Sequence, residues 1–146
     1  MDGASSIDGN GVFGVGVTIR DELGEVVATL CKALPMHYPA EWTEFLALQH
    51  NVVLAQELNI SKVIFKSDAS LVISAVTQAY NGGIIGHLVQ SIQSMKSVFS
   101  CCLFYHMKRD YNRAAHELAQ FAKCNKTSNL WKSVIPPCLV NFFNLA

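Results

Sequence analysis

The chain contains the stretch GVFGVGVTIRDELGEVVATLC at residues 11–31. Valine and isoleucine recur in its first half, and this β-branched pattern favours an extended strand. Arg20-Asp-Glu-Leu-Gly24 is typical of a turn, and a second β-branched run follows it. We therefore predict a β-hairpin. Its glycines, at positions 11, 14 and 16, would let another part of the backbone approach closely.

The flanking sequence extends this hairpin into an α/β pattern. Apolar spacing predicts helices over about 40–58, 70–80, 87–99 and 111–124, and further strands at 1–7, 61–67 and 101–107. Three strands in succession favour antiparallel pairing, and the later alternation with helices favours parallel crossovers.

The predicted fold class is α/β, with one five-stranded mixed sheet flanked by helices. We expect a single domain over residues 1–146, with its first strand cut short ahead of Asp2. The tail, which contains Trp131 and Pro136-Pro137, is expected to lie across the body of this domain.

The composition restricts the class of protein. Of the 146 residues, 51% are hydrophobic and 15% are charged, which favours a buried core over disorder. The formal net charge of zero excludes a strongly basic nucleic-acid binder. A small basic patch is still possible, and Lys96 and Lys108-Arg109 are its candidates.

Compartment and membrane association are expectations from the same composition. No apolar run approaches the roughly 18 residues that a membrane span needs, so no membrane partner is expected. The five cysteines lack zinc-type spacing, and we expect free thiols in an intracellular protein, in either the nucleus or the cytoplasm.

Three acidic residues stand in separate, well-marked settings: Asp2 in MDGA, Glu44 in TEFLAL and Asp68 in FKSDAS. Asp2 lies on the first predicted strand and Asp68 at the carboxyl end of the fourth, where open α/β sheets collect ligands. Glu44, near the start of a helix over that sheet, can reach the same place. Converging carboxylates select Mg²⁺ or Mn²⁺, and such ions can promote phosphodiester cleavage.

The same residues also have ordinary structural explanations. Aspartate before glycine is common in turns, glutamate near a helix start is favoured by the macrodipole, and Ser-Asp-Ala-Ser can cap a helix. Glu41 could take the place of Glu44, although the spacing to Leu54-Ala55 favours Glu44. From spacing alone, both explanations stay open.

A set of motifs follows in order along nearly the whole chain. They are Asp2-Gly-Ala, Gly9-Asn10-Gly11, Gly14-Val-Gly16-Val-Thr-Ile-Arg-Asp21, Glu44-Phe-Leu-Ala-Leu, Val63-Ile-Phe-Lys-Ser-Asp68-Ala-Ser70, His106-Met-Lys-Arg109 and Asn112-Arg-Ala-Ala-His116-Glu-Leu-Ala119. In this order they resemble the plant, retroelement-type ribonuclease H domains.

The resemblance implies a fold and an activity. The fold would be a five-stranded mixed sheet with helices, and the activity would be metal-dependent cleavage of the RNA strand in RNA–DNA hybrids. Asp2, Glu44 and Asp68 match the family's catalytic acids and metal ligands, with Mg²⁺ or Mn²⁺ as the cofactor. A hybrid would be recognised by its groove shape and 2′-hydroxyl groups.

Further positions match by resemblance alone. His106 matches a histidine on a mobile loop that assists turnover or product release, and His116 occupies the position of the family's fourth acid. The positions that match substrate-binding residues are Gly3, Asn10, Ser70, Arg109 and Asn112.

Three departures from the family pattern favour an alternative. His116 replaces an acid, and a neutral imidazole binds Mg²⁺ poorly and Mn²⁺ better. Asn51 replaces the usual glycine, and the first strand is short. The chain could instead be a catalytically impaired nucleic-acid-binding or interaction domain derived from a mobile element, or a decayed fragment. We expect a monomer or part of a larger polypeptide.

Overall fold

The computed structural model describes residues 1–7, 12–35, 40–132, 136 and 139, with the side chains of residues 2, 4–7, 12, 35, 40 and 41 left out. This part of the chain forms β1 (Asp2–Ile7), β2 (Val12–Arg20), β3 (Val26–Pro35), α1 (Ala40–Glu57), β4 (Lys62–Ser67), α2 (Ser70–Thr77), α3 (Gly83–Met95), β5 (Cys101–His106), α4 (Arg113–Asn125) and β6 (Asn129–Lys132).

The strands form one mixed sheet in the order β5-β4-β1-β2-β3-β6. The hairpin predicted from residues 11–31 is confirmed as β2 and β3, which pair antiparallel. β1 lies at the centre, antiparallel to β2 and parallel to β4. β5 continues the parallel half of the sheet. All five predicted strands are therefore present, and their mixed arrangement is confirmed.

A sixth strand comes from the segment that was expected to cross the body. Residues Asn129–Lys132 pair antiparallel with β3, and Trp131 lies opposite Thr29. Lys126 adopts the left-handed conformation at the end of α4, with φ of 49°, where the helix stops. The outer edge of β3 would otherwise present unpaired backbone groups, and β6 covers residues 28–31 of that edge.

α3 starts earlier than predicted. The expected range was 87–99, whereas the helix runs from Gly83 to Met95 and a 3₁₀ turn follows at Lys96–Val98. Gly83 has φ of 59°, a value that glycine adopts without the steric cost of a side chain. Because Gly83 can adopt this backbone conformation, α3 begins there and not at His87.

Helices cover the sheet on both faces. α1, α2 and α3 pack on one face in an apolar cluster that includes Phe45, Phe65, Val76 and Ile92. A second cluster, around Phe13 and Val17 of β2, joins the same helical layer through Ala47 and Leu54 of α1. On the opposite face, α4 contributes Ala114, Leu118 and Ala122 to a cluster with Cys31 and Leu139.

The glycines of β2 set the distance to α4. A Cβ atom at Gly14 would stand 1.9 Å from the carbonyl oxygen of Ala119, and one at Gly16 would stand 1.9 Å from that of Ala115. Side chains at either position would push the helix off the sheet. The close backbone approach predicted from these glycines is thus confirmed, and its partner is α4.

Two other features concern the described part of the chain. No helix in it combines the length and apolar character required to cross a membrane. Cys31, Cys101, Cys102 and Cys124 are free thiols there. Cys138 and Asn10 lie outside the described residues.

We expect Gly16→Ala to lower the free energy of unfolding by about 3 kcal/mol or more, at the upper end of overpacking costs. The new methyl group would meet backbone of α4, which cannot rotate away. Urea denaturation measures the loss. Gly24→Ala is the control, because Gly24 has φ of 81° but no atom lies within 4 Å of the position that a Cβ atom would take. Its cost should be about 1 kcal/mol, from backbone strain alone. Equal losses in the two variants would contradict this account of α4 packing.

Candidate active site

Asp68 is the first residue after β4, at the carboxyl edge of the parallel half of the sheet. Ser67 anchors this end of the strand: its Oγ accepts a hydrogen bond from the Ala69 amide at 3.1 Å, and its carbonyl accepts one from the Met107 amide at 2.9 Å. Asp68 therefore projects from a backbone position that neighbouring segments fix.

Asn112 links three parts of the fold to this aspartate. Its Nδ2 donates to Asp68 Oδ1 at 3.0 Å and to the carbonyl oxygen of Gly3 on β1 at 2.9 Å. The residue occupies the N-cap position of α4, yet its side chain makes no capping hydrogen bond. It is 1% exposed. The amide is thus used to join β1, the end of β4 and the start of α4.

His116 makes the second contact with Asp68. Its Nε2 lies 3.0 Å from Asp68 Oδ2, and the two side chains are 17% and 11% exposed. The His116 amide donates to the Asn112 carbonyl in the first turn of α4. The guanidinium of Arg109 lies 3.9 Å from Asp68 Oδ2 and is mostly in solvent. Because solvent screens such an exposed pair, Arg109 adds little stability.

Asp68 is held in its charged form. Burial raises the pKa of this carboxyl, but hydrogen bonds from His116 and Asn112, together with the charge of His116, outweigh that effect and leave the pKa below its ordinary value. Each carboxylate oxygen accepts one of these side-chain bonds. Since a carboxylate offers about four acceptor positions, the bonds from these two side chains do not occupy all of them.

Asp2 and Glu44, the other two predicted metal ligands, belong to β1 and α1. Asp2 pairs with Lys66 of β4, so its backbone is one strand across and two residues back from Asp68, about 4.8 Å and about 6.6 Å in the two directions. Its side chain lies outside the described part. Glu44 is half-buried on α1. Among the described side chains, no group of three or more His, Cys, Asp or Glu is arranged to hold a metal ion. The described contacts join Asp68 to His116 and Asn112.

Three of the remaining candidates, His106, Ser70 and Gly3, lie on elements next to this centre. His106 is the last residue of β5 and pairs with Ser67, so it belongs to a strand, and the loop begins after it. Ser70 is exposed at the first position of α2. Gly3 is buried on β1, and Asn10 is outside the described residues.

Asn51 lies directly opposite Gly3. A Cβ atom on Gly3 would stand 2.9 Å from Asn51 Nδ2. Asn51 is fully buried, and neither polar atom of its amide has a hydrogen-bond partner within the described structure. Asn51 is therefore accommodated because β1 has no side chain at position 3.

A basic cleft lies on the face of the sheet that carries α4. Its volume is about 640 Å³, and its lining includes Arg20, Lys66, Tyr105, His106, Lys108 and Tyr111. Lys108 was a predicted member of a basic patch, whereas Arg20 and Lys66 were not. The exposure of alternate β4 residues could have indicated Lys66, since Lys62, Ile64 and Lys66 all face outward.

Lys96 does not belong to this basic cleft. Its ammonium group lies 5.6 Å from the centre of the Phe104 ring. Phe104 and the next residue, Tyr105, point to opposite faces of the sheet, and Tyr105 lines the cleft. The expected grouping of Lys96 with Lys108-Arg109 was therefore wrong. The ring attracts the lysine cation, and strand alternation places that ring on the other side of the sheet.

Comparison with known families identifies the domain. Residues 1–122 match the family described as Reverse transcriptase-like. The chain belongs to the Reverse transcriptase-like family. A search of curated proteins gave no significant sequence match.

Solved structures similar to this Reverse transcriptase-like domain are ribonucleases H. RNase H1 from the halophilic archaeon Halobacterium salinarum superposes with a TM-score of 0.77 at 19% identity, covering 86% of this chain and 96% of that one. LC11-RNase H1, solved in complex with an RNA/DNA hybrid, gives 0.75 at 20% identity, with the same coverage of 86% and 96%. The predicted ribonuclease H-like fold is confirmed.

A viral protease-reverse transcriptase contains the same fold. The foamy viral protease-reverse transcriptase, solved in complex with an RNA/DNA hybrid, matches with a TM-score of 0.68 at 16% identity. The match covers 85% of this chain and 19% of the viral one. The fold therefore occurs both as nearly the whole of a chain and as a small part of a long one.

We expect Asn112→Ala to lower the free energy of unfolding by about 2 to 4 kcal/mol, because one bond to a charged group is lost and a buried carbonyl loses its donor. Chemical denaturation measures the change. Asn125→Ala is the matched control, since Asn125 Nδ2 donates to the Phe121 carbonyl at an exposed site. That variant should lose no more than about 0.5 kcal/mol. A comparable loss in both variants would argue against the linking role of Asn112.

Proposed function

We propose that this Reverse transcriptase-like domain is a metal-dependent endonuclease that cleaves the RNA strand of RNA–DNA hybrids. The observation that carries the proposal is the ionised Asp68 at the carboxyl end of β4, held by Asn112 and His116 of the neighbouring helix. Two of the similar structures were solved with an RNA/DNA hybrid, which supports this class of substrate.

The donor set fits a hard divalent cation. Asp2, Glu44 and Asp68 offer carboxylate oxygens, the ligands that Mg²⁺ and Mn²⁺ prefer. Asp68 supports the fit because it is ionised and offers more acceptor positions than its two side-chain partners occupy. These three residues would hold the metal, with His116 beside them at the position of the fourth acid. A bound metal would supply an activated water and stabilise the leaving oxygen of the phosphodiester.

Other residues would position the site or the substrate. Asn112 would keep the Asp68 carboxylate in a fixed orientation, as partners of metal ligands commonly do. Arg109 would contact a phosphate, because its exposed guanidinium presents a fork of donors beside Asp68. Gly3, Asn10 and Ser70 would lie along the substrate, and His106 would assist product release.

A second candidate is a nucleic-acid-binding domain without cleavage. It is favoured by the hydrogen bonds to Asp68, since both oxygens are satisfied by protein groups without a metal. His116 also removes one negative charge from the position of the family's fourth acid. Binding of a hybrid without cleavage would support this candidate.

We also propose a plant retroelement origin, an intracellular location and a monomeric state, alone or within a larger polypeptide. The order of the motifs along the chain supports the origin. A genomic locus without any trace of an element would contradict it. Fractionation of cells checks the location, and a mass near 16.0 kDa in light scattering checks the monomer.

Purified protein should cleave the RNA strand of a labelled RNA–DNA hybrid with Mg²⁺ or Mn²⁺ and should stop when the metal is chelated. Asp68→Asn should lower the rate by more than the roughly 10- to 100-fold that loss of a partner of a metal ligand costs. Gel analysis of both strands measures this rate. Cleavage by Asp68→Asn equal to that of the wild type, or none by either protein, would refute the nuclease proposal.

His116→Asp tests the metal site without relying on cleavage. It would place two carboxylates close together, and their repulsion would lower stability in the absence of metal. A bound cation would offset this repulsion, so the rise in melting temperature on adding Mg²⁺ should be larger than in the wild type. His116→Asn is the control, with no added charge. An equal response of both variants to Mg²⁺ would contradict a metal site at Asp68.

A further inference from the structure

Most residues that line the basic cleft have no role in the proposed cleavage reaction, and His106 is the exception among the described ones. Arg20, Lys66 and Lys108 supply three cationic side chains, and His106 supplies an imidazole. No aspartate or glutamate is among the described residues that line it. In a chain of zero formal net charge, this is a local concentration of positive charge. Such a cleft favours a polyanion.

Two tyrosines make the cleft more than a charged surface. Tyr105 is 51% exposed and Tyr111 is 74% exposed, and both line it. Aromatic rings beside cations are the combination that binds unpaired nucleic acid, since bases stack on the rings while cations contact phosphates. A double helix buries the faces of its bases in its own stack, so it cannot use these rings in the same way.

The cleft also has a fixed relation to Asp68. Lys66 pairs with Tyr105 across β4 and β5, and Ser67, the next residue, pairs with His106. Asp68 follows Ser67 directly. Beyond β5, Lys108 precedes Arg109, whose guanidinium is 3.9 Å from Asp68. The lining therefore reaches the candidate active site along two neighbouring segments.

We propose that the basic cleft binds a single-stranded nucleic-acid segment that leads away from the site at Asp68. Lys66 and Lys108 contact its phosphates, and Tyr105 and Tyr111 stack on its bases. The inference rests on the proposed function, because it takes the strand to continue from a hybrid bound there. These contacts involve phosphates and the faces of bases but no base edge, so the cleft accepts single strands of different sequences.

Binding is measured by fluorescence anisotropy with labelled single-stranded DNA and RNA, each about 12 nucleotides long and so within the site sizes of single-strand-binding domains, and with a duplex of the same sequence. Chelator is present throughout, so that cleavage does not intervene. The wild type should bind single strands more tightly than the duplex. Both single strands are tested because the shared chemistry, phosphate and an exposed base, occurs in each.

Two pairs of substitutions test the two kinds of contact. Lys66→Gln with Lys108→Gln should reduce the slope of log affinity against log salt by about 1.4, at about 0.7 per phosphate contact on a single strand. Tyr105→Ala and Tyr111→Ala should each weaken binding by about 5- to 150-fold, the range for loss of one stacked base. The corresponding phenylalanine variants should retain binding.

Matched controls come from outside the cleft. Lys126→Gln with Lys132→Gln removes the same charge from exposed sites near β6, and Tyr80→Ala removes an aromatic ring that is 52% exposed. Each variant is checked for unchanged melting temperature.

Equal losses in cleft and control variants, or tighter binding of the duplex, would overturn the proposal. So would displacement by poly-glutamate as efficient as by the oligonucleotide, which would favour an acidic protein segment.

The outcome separates this inference from the nuclease proposal. Cleft-dependent binding in a protein that does not cleave hybrids would leave the cleft proposal standing and refute the nuclease. Cleavage by a protein whose cleft variants bind like the wild type would do the reverse.

Discussion

The backbone of α4 lies directly on β2, and the candidate site depends on that contact. Gly14 and Gly16 permit it, since any side chain at either position would meet a helix carbonyl. The first turn of α4 is thereby held over the centre of the sheet, within reach of β1 and the end of β4. Asn112 and His116 can then contact Asp68, although 44 and 48 residues separate them from it in the sequence. A small increase in the distance between α4 and the sheet would move Asn112 and His116 away from Asp68.

Asp68 shows how a protein can keep a buried carboxylate charged. Burial alone favours the neutral acid, but an amide and an imidazole compensate within hydrogen-bond distance. These contacts keep the carboxylate ionised, as a metal ligand must be, but they also provide its oxygens with hydrogen-bond partners. Under the proposed function, cleavage therefore requires a cation that competes for oxygens that already have partners.

Much of the fold could be predicted from local pattern. The glycine-rich hairpin, the alternation of helices and strands and the position of Asp68 follow from periodicity and turn chemistry. The strand at 129–132 could not be predicted in this way, because a four-residue segment pairs only where an edge is available. Likewise, the hydrogen-bond partners of Asn112, which are Gly3 and Asp68, are set by tertiary packing. The basic cleft draws on β2, β4, β5 and a loop, so no single segment reveals it.

The pair formed by Gly3 and Asn51 constrains how this sequence can evolve. A buried amide without partners within the described structure costs about 1 to 3 kcal/mol, a cost that an apolar residue of similar volume at position 51 would avoid. A side chain on Gly3 would place its Cβ atom 2.9 Å from the end of this amide, so Asn51 would have to move before Gly3 could be replaced. The effect of a substitution at either position therefore depends on the residue at the other, and the two positions are epistatic.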